Sequence, residues 1–300
     1  MRVTLVHNPS SGDGRPSQHK LERLLESAGY QVRYTSTDRD WKDALRKKTD
    51  LVVAAGGDGT VGKVIRELAG SGAPFGVLPF GTANNVAKSL GVVGEIEDVV
   101  AAWRDGAPRP FDVWSAAIGD EDELFVEGAG GGVFADLIHL GEDLVEDADL
   151  YVGRETDRAL ALLRGLIEDA QPSTWNVELD GTDHSGDYLA VEALNIKFAG
   201  PNVPLAPRAD PGDGLLDVVL IGDEERRSIL DYLAGRLELS AGVTPDVRVV
   251  RASRARLVAP HGVRVRVDDE VLADAKDGED RSIDVRLHAV ARSLAGGQER

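Results

Sequence analysis

The run Gly56-Gly57-Asp58-Gly59-Thr60 directly follows the apolar stretch Leu51-Val52-Val53-Ala54-Ala55. A short apolar run ending in glycines predicts a buried strand that stops at a backbone turn. Val61, Val64, Ile65, Leu68 and Ala69 then have the spacing of a helix. Strand, glycine turn and helix together present backbone N–H groups to an anion. An acid inside such a turn suits a metal ion shared between the carboxylate and a polyphosphate. The chemistry indicated is nucleotide-dependent phosphoryl transfer, with an ordinary glycine turn as the simpler alternative.

Two further loops have the same character. Pro79-Phe80-Gly81-Thr82-Ala83-Asn84-Asn85 follows the strand-like Phe75 to Pro79, and Thr82 is placed to cap the next helix or to meet a phosphate. Asn8-Pro9-Ser10-Ser11-Gly12-Asp13-Gly14 follows the strand-like Val3 to His7, and its hydroxyls and glycines suit a phosphate-facing turn. Gly57 to Lys63 also matches the glycine and lysine spacing of a P-loop. Val64 stands where that motif needs a hydroxyl for magnesium, which rejects it. The six histidines are scattered without metal-ligand spacing, and serine has no nucleophile-elbow context.

Positioning these loops requires a sheet with its carboxyl edge open. The first third alternates strand and helix signals: helices at 18–28, 41–47, 83–90 and 96–103, strands at 3–7, 31–34, 51–55 and 75–79. Repeated alternation of this kind predicts a doubly wound parallel sheet, whose ligands sit beyond the strand ends. After Pro108 the pattern turns to period two near 175–181, 187–197, 215–221, 247–251 and 263–267, broken by helical stretches near 156–170 and 225–240. That predicts a mainly antiparallel β domain. The expected division is residues 1–112 and 113–282; the strand-like piece from 283, with the chain to 300, belongs to the second domain or returns to the first.

The chain has 300 residues, enough for about two domains. It has no cysteine, which excludes disulfides and thiolate metal sites and fits a reducing compartment. Neither a signal peptide nor a membrane span is legible, so a cytoplasmic protein is expected. The net charge of −18 argues against a nucleic-acid partner. It also repels anionic lipid unless basic residues cluster locally. Two candidate clusters, Arg46-Lys47-Lys48 and the series Arg248, Arg251, Arg254, Arg256, Arg264, Arg266, read as solvated surface.

In order and spacing, Asn8 to Gly12, Gly56 to Thr60 and Pro79 to Ala87 resemble the catalytic domain of the diacylglycerol kinase and sphingosine kinase superfamily, in particular its soluble bacterial lipid kinases. Asn195, Gly200-Pro201, Leu205-Ala206-Pro207 and Asp210 to Val218 resemble that family's second-domain signature, and Gly128 to Phe134 its glycine-rich strand end. The resemblance implies an ATP-dependent kinase acting on a lipid hydroxyl, with nucleotide held between a Rossmann-like domain and a β-sandwich domain that takes the lipid. By motif matching it puts Asn8, Pro9, Ser10, Ser11, Gly12, Thr37, Gly57, Asp58, Gly59, Thr60, Val61, Gly62, Lys63 and Thr82 at nucleotide-contacting positions. Asp210, Asp213 and the carbonyl of Leu215 match a structural Mg²⁺ site. Glu270 aligns with the general base, and Asp58 is assigned to the catalytic Mg²⁺. Implied partners are a lipid alcohol, the inner face of a membrane in transient contact, and a second copy in a homodimer.

The chain departs from the family pattern at two places. Asp269 stands where the turn before Glu270 usually has glycine, and Gly62-Lys63 stands where Asn-Glu is typical. A nucleotide-binding regulator without catalysis is therefore one alternative. An NAD kinase is another, although the Gly-Ser-Thr-Ala type of segment expected for NAD is not found.

Overall fold

The apolar runs of the first third become parallel strands. A computed structural model describes residues 1–11, 16–92, 94–144, 155–238, 244–272 and 279–294. Its first unit runs β1 (Arg2–His7), α1 (Gln18–Ser27), β2 (Gln31–Ser36), α2 (Lys42–Leu45), β3 (Leu51–Gly56), α3 (Asp58–Leu68), β4 (Pro74–Pro79), α4 (Asn85–Ser89), α5 (Ile96–Ala102) and the start of β5 (Arg109–Ile118). The strand order is β4-β3-β1-β2, all parallel. All six residues of β3 are buried, as expected for a parallel strand covered on both faces. Strand order reverses between β1 and β3, so the loops after these two strands flank the crevice where open α/β sheets bind ligands.

The second unit adds β6 (Glu121–Phe125), β7 (Gly128–Gly132), α6 (Val133–Leu144), α7 (Glu155–Asp169), β8 (Ser173–Leu179), β9 (Thr182–Asp183), β10 (Gly186–Tyr188), β11 (Ala190–Leu194), β12 (Leu216–Ile221), α8 (Asp223–Leu237), β13 (Arg248–Ala252), β14 (Arg254–Ala259), β15 (Val265–Val267), β16 (Glu270–Val271) and β17 (Arg281–Ser293). Its antiparallel sheets are β10-β8-β14-β17 and β13-β12-β11-β7-β15-β16. Between them lies an apolar core that includes Trp114, Phe125, Trp175, Val191, Val218, Leu257 and Val265. The other face of the second sheet packs Ala190, Leu194, Val219 and Ile221 against apolar residues of α6, α7 and α8. Period-two alternation is what lets one strand serve both layers.

By contacts, the first unit comprises Met1–Val113, Pro211–Asp213 and the chain from Ala289; the second comprises Trp114–Asp210 and Gly214–His288. Strand β17 is therefore divided: Arg281 to Arg286 pair antiparallel with β14, while Arg292 and Ser293 pair parallel with Pro74 and Phe75 of β4.

Several elements differ from the expected ones. The glycine stretch of β7 runs without a loop into α6, a helix not anticipated because no turn residues separate the two periodicities. Strand β14 lies inside what was read as a run of surface arginines. That surface reading fails at Arg266, which is buried and paired with Glu192. It holds for Arg46, Lys47 and Lys48, all exposed.

Candidate functional site

Three loops at the carboxyl edge of the parallel sheet are tied to one another within the first unit. After β1, the Asn8 side-chain oxygen accepts the Ser10 N–H at 3.0 Å. The Asn8 amide nitrogen donates to Thr60 Oγ1 on α3 at 3.1 Å. Ser11 Oγ accepts the Gly57 N–H at 2.9 Å. The loop after β1 is thus bonded to both sides of the glycine turn after β3. The loop after β4 crosses the same turn: a Cβ at Gly81 would lie 2.4 Å from the Gly57 Cα, and one at Gly57 would lie 3.1 Å from the Gly81 Cα. Neither glycine has a positive φ, so the requirement here is space.

Asp58 completes the knot. Gly57 is the extended N-cap of α3 and Asp58 its first residue. The Asp58 carboxylate reaches the start of α4, where Oδ1 accepts the Val86 N–H at 3.0 Å. Asp58 thus caps the start of α4 from a different loop. Asn84 precedes α4 in the left-handed region at φ +53° and makes no side-chain cap bond. Its side chain brackets Gly81, accepting the Gly81 N–H at 2.8 Å and donating to the Gly81 carbonyl at 2.6 Å. Burial pushes the Asp58 carboxyl above its ordinary value, while the N–H groups of Val86, Asn85 and Asn84 and the charge of Lys88 oppose that push.

The turn has few donors to spare. The Gly57 N–H goes to Ser11, and the Thr60 and Val61 N–H groups both go to the Gly57 carbonyl at 3.0 Å. Asp58 and Gly59 are the first two positions of α3, where backbone N–H groups have no intrahelical acceptor, and such groups are the ones an anion at a helix start takes up. Among the other expected contact positions, Val61 and Gly62 are buried in α3, while Lys63 and Thr82 are exposed. Thr37 is half-buried and donates its N–H to the His7 carbonyl at 2.9 Å. Pro9 lies in the loop after β1, and Gly12 lies outside the described residues.

In the second unit, Glu270 is exposed on β16, opposite Val267 in the β15–β16 hairpin. The left-handed residue of that hairpin turn is Asp268, at φ +51°, while Asp269 has an ordinary φ. An aspartate at 269 therefore needs no glycine-like conformation. Asp268 itself is buried. Its carboxylate accepts the N–H groups of Val126, Glu127 and Gly128, the closest at 2.8 Å. Asn195, also buried, accepts from Trp114 Nε1 and donates to the Val126 carbonyl, both at 2.9 Å.

Asp210 and Asp213 are exposed and Leu215 is half-buried. Among the described residues, no three histidine, cysteine or acidic side chains converge as a metal cluster. The oxygen donors that Asp210, Asp213 and Leu215 carry, two carboxylates and a backbone carbonyl, are of the kind that suits Mg²⁺. At Asp58, Oδ1 is engaged by the Val86 N–H of α4; a carboxylate is a hard oxygen donor, the kind a phosphate-bound cation would need.

Both parts of the chain resemble known proteins. Residues 2–116 match the diacylglycerol kinase catalytic domain, and residues 146–281 match the YegS C-terminal NAD kinase beta sandwich-like domain. A diacylglycerol kinase of Bacillus subtilis is 27% identical over 287 residues, covering 90% of this chain and 89% of that protein. A probable YegS-like lipid kinase of Pseudomonas putida is 33% identical over 215 residues, covering 70% and 67%. The crystal structure of a putative diacylglycerol kinase from Bacillus anthracis superposes with a TM-score of 0.67 at 19% identity, covering 98% of this chain and 97% of that one, a likeness of fold.

Proposed function

The chain belongs to the family of bacterial diacylglycerol kinases and YegS-like lipid kinases, and on that premise we propose that it transfers the γ-phosphoryl group of ATP to the hydroxyl of a lipid alcohol, with Mg²⁺. The observation that carries this reading is the crossing of Gly57 and Gly81 beside Asp58: a side chain on either glycine would fill the space. Asn8, Ser11 and Thr60 tie that turn with small polar side chains, Ser10 and Thr82 lie in the adjoining loops, and the N–H groups of Asp58 and Gly59 at the start of α3 would take phosphate oxygens. When bound, Mg²⁺ neutralises charge on the phosphates. Asp58 and the segment with Asp210, Asp213 and the Leu215 carbonyl would supply the oxygens suited to it.

Catalysis in such a site is positioning plus charge stabilisation. Glu270 accepts the hydroxyl proton as the lipid oxygen bonds to the γ-phosphorus, and the bond to the β–γ bridging oxygen breaks to leave ADP. Among the described residues no helix is long and apolar enough to cross a membrane. Reaching a lipid hydroxyl then calls for transient contact with the inner membrane face. A homodimer is part of the same proposal.

The test is calorimetry with MgATP, followed by labelled ATP presented with diacylglycerol, a long-chain base, a phospholipid, an isoprenoid alcohol and, separately, NAD. Heat of binding and label in one lipid are expected. MgATP bound without label in any alcohol would leave a regulator, and label in NAD would leave an NAD kinase. The two duties of Asp58 can be separated in the same assay. Asp58→Ala removes the α4 cap and should cost about 1 kcal/mol of stability. Asp58→Asn keeps an acceptor for the Val86 N–H, so its melting temperature should stay near that of the parent while Mg²⁺-dependent turnover falls. An unaltered Mg²⁺ dependence in Asp58→Asn would take the carboxylate charge out of the reaction.

A further inference from the structure

Three strands of the second sheet place Glu192, Gly130 and Arg266 side by side: Gly130 is opposite Glu192 of β11 on one flank and opposite Arg266 of β15 on the other. Glu192 and Arg266 reach across the glycine and pair, with Nε to Oε1 at 3.1 Å and Nη2 to Oε2 at 2.7 Å. A Cβ at Gly130 would meet the Glu192 carboxylate at 2.8 Å and the Val191 carbonyl at 2.1 Å, so the glycine makes the room for the pair. The remaining arm of Arg266, Nη1, donates to the Asp268 carbonyl at 2.6 Å. Glu192 is 0%, Arg266 5% and Asp268 6% exposed. Three ionisable side chains thus converge, out of water, on the hairpin whose outer strand begins at Glu270.

A buried pair of this kind is a poor way to gain stability, because desolvation consumes the Coulombic attraction and apolar residues of the same volume often do as well. Here burial pushes the Glu192 carboxyl up, and the facing guanidinium opposes that push. Burial would lower Arg266, but Glu192, Glu127 and Asp268 outweigh it and hold the guanidinium charged. What the pair does provide is direction. The fork of Arg266 is fixed by two acceptors on β11 and pins the backbone carbonyl at the turn. The Asp268 side chain is pinned in turn by the N–H groups of Val126, Glu127 and Gly128, a segment Asn195 holds from its other side.

We propose that Glu192, Arg266 and Asp268 form a buried brace that fixes the backbone of the β15–β16 turn and so positions the Glu270 carboxylate. They are positioning residues, and the proposal rests on the reading of Glu270 as the base. Without the brace the hairpin keeps its ladder bonds but loses its bearing, and a displacement of about 1 Å at a reacting group can cost on the order of 100-fold.

The experiment uses the full chain with Glu192→Met and Arg266→Met together, which removes both partners of the ion pair at once, while the Asp268 carboxylate keeps its three N–H donors. A melting temperature within a few degrees of the parent is expected, with kcat lowered on the order of 100-fold. Both KM values should hold within about twofold, because nucleotide and lipid binding are not what the brace sets. Amide hydrogen exchange at 267–272 should quicken about tenfold while β11 and β12 stay protected. A folded double variant with parental kcat, or with parental exchange at the hairpin, overturns the brace. Should the double variant not fold, Asp268→Asn carries the same readouts, since it keeps the ion pair and weakens only the grip on the Val126–Gly128 turn. If the parent itself labels no lipid, or if Glu270→Gln turns over normally, the base assignment falls instead; the exchange measurement still decides whether the hairpin is braced.

Discussion

Glu270→Gln should lower kcat by about 10²–10⁴ while the affinity for MgATP is unchanged. Glutamine matches the shape of glutamate but cannot take up a proton at neutral pH, so the substitution removes the acceptor and little else. Glu270 is exposed at the head of β16 and its turn is held through Asp268, so the loss should come without unfolding. Steady-state kinetics with the labelled lipid and calorimetry with MgATP separate the two effects: a drop in kcat with unaltered nucleotide binding marks a proton acceptor. Near-parental turnover would remove Glu270 from the reaction, and another group would have to receive the proton. Because Asp269 has an ordinary φ, the departure from the family pattern beside Glu270 is no argument for a non-catalytic protein.

The parallel half of the fold was legible because its inner strands are covered on both faces. Leu51 to Ala55 is unbroken apolar sequence, and unbroken burial is what the structure has there. The loops after β1, β3 and β4 were legible as turns because glycine, proline, serine and asparagine cluster where each apolar run ends, and a parallel order puts the ends of those strands on one edge. The links between those loops were not. Nothing local tells that Asp58 would cap a helix starting 27 residues later, because that carboxylate is delivered by tertiary packing. The second domain hid its chemistry in a different way. Arg266 was counted with a series of arginines because alternate positions of β14 and β15 carry that residue. Period two puts some of these outside, but Arg266 faces a strand with a charge buried in its middle. The available signal was Glu192, a lone acid within Ala190-Val191-Glu192-Ala193-Leu194, opposite a strand made almost wholly of glycine. A charge inside a buried strand requires a partner, and Gly130 marks where the partner crosses.

Gly81→Ala should damage nucleotide binding more than any change to the hydroxyl side chains around it. The added Cβ falls 2.4 Å from the Gly57 Cα, a contact with backbone that no rotamer relieves. The loop after β4 cannot swing aside, because Asn84 holds Gly81 by both its N–H and its carbonyl, and α4 beyond it is held by Asp58. The turn at Gly57 cannot retreat either, since its N–H is bonded to Ser11. The clash must therefore part the loops after β3 and β4, at a cost of roughly 1–3 kcal/mol in stability. MgATP affinity should fall at least about tenfold, because the N–H groups of Asp58 and Gly59 move with the turn. The reverse substitution is a built-in control. Gly57→Ala puts its Cβ 3.1 Å from the Gly81 Cα, a distance that a shift of a few tenths of an ångström relieves, so it should be the milder of the two. Thermal melts and calorimetry on the pair read this order directly. If Gly81→Ala binds MgATP like the parent, the crossing of the two glycines packs the sheet edge and cradles nothing, and the phosphates must bind elsewhere on the first unit.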